Sequence, residues 1–174
     1  MRVRAVGPEE FDESLQPVLA AILRLRGEVY NLHCALANSP KALCAFIAFS
    51  EYVRDNADLN PRLRELAVLR VATLHQVTYE IAQHQAPAQR AGLTEEQIVA
   101  VTHWHEHATL FDARDRAVLA YTEESAATFR VSETTFATVR QYLSDSEIVD
   151  LSLVVGWYLL CAAVLVPLEI ELEH

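Results

Sequence analysis

Apolar residues recur along this chain at three- and four-residue intervals, the spacing that gathers side chains on one face of an α-helix. Pro8 to Asp12 reads as a helix start with acids in its first turn. Ser14 to Arg26 follows in a helical pattern interrupted by Pro17, with Val18, Leu19, Ile22 and Leu23 on one face and Gly27 as the stop. Asn31 is placed to cap a short segment, NLHCALAN. Ser39 and Pro40 then supply an N-cap and a first-turn proline for a helix through KALCAFIAFSEYVRD, whose core candidates include Leu43, Phe46, Ile47 and Tyr52.

The stretch from Arg62 to Gly92 holds two helical runs after a turn at Asn56–Pro61. Thr94–Gln97 is a capping-box pattern, Asp112 to Thr128 a strong helix, Ser132 opens SETTFATVRQYL, and Ser144–Glu147 is a second capping box. Leu153 to Val166 is apolar all round, short for a bilayer span and followed by Pro167, so a buried core or subunit-interface helix is expected. Period-2 alternation bounded by hairpin turns is missing. The fold class predicted is all-α, a single domain over residues 1–174 with no linker or low-complexity tract.

Composition narrows the function classes. The chain is 52% hydrophobic with four Gly and six Pro, enough for one sizeable core with short loops. Fourteen basic against twenty-four acidic residues give a formal charge of −10, and Lys41 stands alone among the lysines, so nucleic acid is not an expected partner. MRVRAVGPEEFDE has no apolar signal region, and a membrane partner is not expected either. Cys34, Cys44 and Cys161, odd in number and each in apolar surroundings, read as reduced, buried cysteines of a cytoplasmic protein. Leu172–His174 has the look of a purification-tag remnant, and His174 is set aside from any site.

Candidate chemistry concentrates in Arg62–Gly92. Val77, Glu80 and His84 share a helix face at i, i+3 and i+7, and the Glu80–His84 pair is spaced so that the carboxylate orients the ring or raises its basicity. Glu65 sits beside an apolar stripe of Leu66, Leu69 and Ala72, where a carboxylate must be paired or functional. An antiparallel return brings it toward Glu80 and His84; a structural ion pair with Arg62, Arg64 or Arg70 is the competing expectation. His84 titrates near neutrality and suits acid–base work. His75 near the turn reads as a solvated or capping residue. In HWHEH only His103 and His107 align on a helix, and His105 points elsewhere, so no metal site is expected. Trp157 and Tyr158 read as core or interface aromatics.

Glu65 followed twelve, fifteen and nineteen positions later by Val77, Glu80 and His84, between RELAVLRVA and RAGLTEEQI, resembles the carboxymuconolactone decarboxylase family, related to the AhpD-type alkyl hydroperoxidases. The similarity extends to NLHCALANSP, DARDRAVLAYTEE and SDSEIVDLSLVVGWYLL, roughly residues 31–173. It implies an AhpD-like helical bundle that assembles as a homo-oligomer (dimer, trimer or hexamer) and acts on a small molecule without a cofactor. By that resemblance Glu65, Glu80 and His84 are the catalytic candidates, in a proton-transfer lyase or isomerase on a small carbonyl or lactone. Arg70, Tyr79 and Val77 are the substrate-binding candidates. In the hydroperoxidase branch the two positions held here by Val77 and Glu80 are both cysteines, so thiol peroxidase chemistry is disfavoured. A non-catalytic, ligand-binding oligomer is the remaining alternative.

Overall fold

A computed structural model describes residues 1–173; His174 lies outside the described residues. It is all-helical, with no strand among the described residues, and it divides into two compact units. One comprises residues 1–56 and 164–173, the other 57–163.

In the first unit α1 (Gln16–Arg26), α2 (Asn31–Leu36) and α3 (Pro40–Glu51) pack together, preceded by two short 3-10 turns and followed by a π-helical turn at Tyr52–Asn56. Pro17 starts α1 rather than interrupting it, because a proline in the first turn removes an N–H that has no helical partner. Gly27 caps α1 in the left-handed region at φ 82°, which glycine adopts without a Cβ clash. Of the four face residues named above, only Ile22 is fully buried, and Leu23 remains 46% exposed. Ser39 stands at the N-cap of α3 without a side-chain capping bond. Cys34 is buried, its thiol pushed up by burial and by the charges of Glu9 and Glu173. Cys44 is exposed, against expectation: it lies on the outer side of α3, whose inward positions are Leu43, Phe46 and Ile47.

The second unit is built on α4 (Pro61–Leu74). Its close neighbours are α5 (Thr78–Arg90), α7 (Ala113–Thr128) and the turn Val101–His103 that follows α6 (Glu95–Ala100). Asn60 caps α4 by accepting from the Arg62 N–H, and Thr94 and Asp112 head α6 and α7 with full capping boxes. Leu63, Leu66, Ala67, Val68, Leu69, Val71 and Ala72 are all buried, so α4 is enclosed around its circumference rather than along one stripe. Its charged residues are tied to neighbours: Arg62 forks onto Asp115 of α7, and Arg70 reaches Glu123 of the same helix at 2.9 Å. Pairing is what lets such side chains sit inside.

α8 (Glu133–Val139) packs on α7, and α9 (Asp145–Leu165) is the long apolar helix, its last two residues counted with the first unit. Buried Asp150 of α9 accepts from the N–H groups of Asp58 and Leu59 at 2.6 and 3.2 Å, which holds the approach to α4. By length and composition alone α9 could cross a membrane, but half of its most apolar window is buried in the protein. The rest leaves Val149 57% and Leu160 48% exposed, with open space beside Gly156 between them.

Candidate functional site

The α4–α5 connection is three residues long, and it folds the second helix back against the first. Val77 N–H bonds the Ala72 carbonyl at 2.8 Å, and Gln76 turns the chain through φ 55°, a left-handed conformation that costs a non-glycine residue about 1–2 kcal/mol. The return sets His84 of α5 opposite Glu65 of α4.

His84 Nδ1 lies 2.7 Å from Glu65 Oε2, and Nε2 lies 3.3 Å from Glu80 Oε2. The first contact is a short, charge-assisted bond. The second is within ion-pair range but lacks hydrogen-bond alignment, so Nε2 is a buried ring nitrogen without a well-formed bond. Glu65 Oε1 also accepts from Arg64 Nε and Nη2, each at 3.3 Å. Exposure falls from 6% at Glu80 to 1% at Glu65 and none at His84. Burial alone would strip the imidazole of its charge; the Glu65 and Glu80 carboxylates outweigh it and raise the His84 pKa above the ordinary value.

Glu65, Glu80 and His84 are therefore brought together, as the helical spacing and the antiparallel return anticipated. Val77 is the N-cap of α5 rather than part of it, and it is buried; Tyr79 is buried in the first turn. Arg70 is held by protein partners. Its guanidinium donates to the carbonyls of Val101 and Thr102 and pairs with Glu123, because a long cation on a buried helix is held where acceptors converge. Glu123 also accepts from Trp104 Nε1 at 2.8 Å and faces His105 Nε2 at 3.3 Å. Burial pushes the Glu123 carboxyl up, and these donors more than offset it, leaving it below the usual carboxylate range.

Two contributors are not singled out by the sequence. Tyr158 of α9 packs edge-on to His84, ring centroids 5.0 Å apart at 88°. It sits in an unbroken apolar run where nothing separates a ring that touches the site from one that fills the core. Arg64 was foreseen only as one of three ion-pair choices for Glu65. Three cavities, of about 690, 320 and 740 Å³, open elsewhere in the second unit, and none is lined by Glu65, Glu80 or His84. His103 and His107 line the first with Glu95 and Glu96, yet no grouping of three or more His, Cys, Asp or Glu suited to a metal occurs among the described residues.

Comparison with known proteins places this geometry. Over residues 40–124 the chain matches the carboxymuconolactone decarboxylase family, Glu65, Val77, Glu80 and His84 included. YdfG of Bacillus subtilis, an uncharacterized protein, is 24% identical over 120 residues, spanning 68% of this chain and 80% of its own. An AhpD-core, peroxidase-related protein from Ralstonia eutropha JMP134 superposes with a TM-score of 0.85 at 18% identity, covering 99% of this chain and 92% of that one. The debrominase Bmp8 in complex with 2,3,4-tribromopyrrole gives a TM-score of 0.84 at 13% identity, over 99% and 92% of the two chains. At these identities the solved structures establish the AhpD-like family fold and no activity.

Proposed function

We propose that this chain is a cofactor-free acid–base catalyst, a lyase or isomerase that moves a proton on a small carbonyl or lactone substrate. The observation that carries the reading is a fully buried imidazole whose two nitrogens each face a carboxylate. Two such acceptors favour two N–H donors, so His84 rests as an imidazolium, an acid ready to give up the Nε2 proton. In a decarboxylation the bond to the departing carboxylate breaks, its electron pair remains as an enolate, and CO2 leaves. The Nε2 proton then passes to the enolate carbon, while Glu65 keeps the neutral ring in the Nδ1–H tautomer. No thiol takes part. Chains associate through the outward apolar face of α9, as a homo-oligomer of a cytoplasmic protein.

The test is NMR in D2O with a panel of β-keto acids and unsaturated lactone acids, following deuterium incorporation and CO2 loss. His84→Gln should slow a responding substrate by roughly 10²–10⁴-fold. Replacing Cys34, Cys44 and Cys161 together by Ser should leave the rate unchanged. A second reading, a ligand-binding scaffold without chemistry, is supported by the closure of the cluster, since Glu65 and His84 are essentially unexposed. No reaction across the panel, or a rate untouched by His84→Gln, decides for the scaffold; a rate lost in the cysteine variant decides for thiol chemistry.

A further inference from the structure

The two carboxylates of the cluster are not equivalent. Glu65 is held at 2.7 Å from Nδ1, is braced by Arg64, and is 1% exposed. Glu80 stands 3.3 Å from Nε2 without hydrogen-bond alignment and is the most exposed of the three. It also lies in the first turn of the thirteen-residue α5, where the helix N-terminus favours negative charge whatever group carries it. Among the described residues, Glu65 of α4 and Glu80 of α5 face the ring nitrogens, Arg64 bonds Glu65 from behind, and the Tyr158 ring lies edge-on from α9. Exchanging one carboxylate for another leaves the net charge beside the ring unchanged, whereas admitting a neutral group in place of Glu80 takes a negative charge away from a buried imidazolium.

We propose that the Nε2 side of His84 is a carboxylate-binding subsite, and that Glu80 fills it in the ligand-free chain. The ligand is a small organic acid whose carboxylate or enolate displaces the Glu80 side chain toward solvent and lies against the Nε2–H. With Arg70 committed to Glu123, the cation that meets the acid is the imidazolium itself. The arrangement explains how a sealed cluster admits a substrate: the least firmly held member moves aside, and the incoming anion arrives beside the proton it is to take. That consequence rests on the acid–base reading, while the binding is measured without it.

Glu80→Ala deletes a –CH2–COO⁻ unit, the shape and charge of acetate. The experiment titrates sodium acetate into the Glu80→Ala protein at pH 7, reading the His84 ring nitrogens by long-range ¹H–¹⁵N NMR and thermal unfolding by Trp fluorescence. Sodium chloride at equal ionic strength and acetamide serve as comparisons. Expected is a saturable acetate response that moves the ring toward the imidazolium signature and raises Tm, with neither effect from acetamide. Glu80→Gln, which keeps the space filled, should show no acetate response. An absent or non-saturating acetate response, an equal acetamide response, or acetate binding to Glu80→Gln overturns the proposal. Should Glu80→Ala not fold in chloride, the comparison moves to refolding: recovery in acetate and not in acetamide supports the subsite, and failure in both overturns it. Failures of the two proposals separate cleanly. Proton exchange without acetate binding removes the subsite alone; acetate binding without exchange removes the reaction and keeps the subsite.

Discussion

Replacing Glu65 by Gln removes one charge from the buried cluster and almost no volume, which makes it a direct measure of the electrostatics. In the parent, Glu65 accepts a charge-assisted bond from His84 Nδ1 at 2.7 Å and two longer contacts from Arg64. Gln can still accept from Nδ1–H, so the loss is the difference between a charged bond, about 1.5–3 kcal/mol, and a neutral one near 1 kcal/mol. Arg64, 15% exposed, recovers part of its own loss through solvent. His84, with no exposure, has no such route and sheds its proton instead. The net expectation is a destabilisation of about 1–2 kcal/mol below neutral pH, less than removing a buried partner outright costs because Gln keeps the acceptor. For a domain of this size that corresponds to a fall in Tm of roughly 2–8 °C.

The pH dependence has a definite sign. The His84 pKa is raised in the folded protein, so its protonation stabilises the fold fully below the unfolded value near 6.5. That contribution disappears as pH climbs through the folded pKa. The parent should therefore lose stability on going from pH 6 to alkaline pH, and Glu65→Gln should lose much less, so the gap between them narrows. Both tryptophans, Trp104 and Trp157, lie in the second unit, and their fluorescence reports its unfolding. Thermal melts at pH 6 and pH 9 suffice. A Glu65→Gln protein that melts with the parent at pH 6, or a gap that is the same at both pH values, refutes the reasoning.

Other consequences follow from the surface. Phe129 ends α7 in the left-handed region at φ 57° with its side chain 82% exposed, so strain there is offset by little packing. Phe129→Gly should stabilise the protein by about 0.5–1 kcal/mol, read as a rightward shift of a urea melt; a loss of stability would show that the ring has a partner. Light scattering after gel filtration should give the parent a mass that is a multiple of 19.5 kDa, and Leu160→Glu, which places a charge in the outward apolar face of α9, should return it to a monomer. A monomeric parent, or an assembly indifferent to Leu160→Glu, removes that face as the contact.

The helices were legible because their signals are local. Apolar spacing, the Thr94 and Ser144 capping patterns and Gly27 each act within a turn or two, and all stand where the sequence places them. The grouping of Glu65, Glu80 and His84 was nearly as legible, since a three-residue connection leaves the second helix few ways to lie other than back along the first. What only the tertiary structure decided was which partner each buried charge took. The sequence offers Arg62, Arg64 and Arg70 equally to Glu65; packing sends Arg62 to Asp115 and Arg70 to Glu123, fifty-three residues away in both cases, and leaves Arg64. The same holds for Tyr158 against His84 and for the exposure of Cys44, which depend on which side of a helix another element covers. Periodicity and capping are properties of a segment. Desolvation and charge pairing are properties of the space between segments, and that space exists only once the chain has folded.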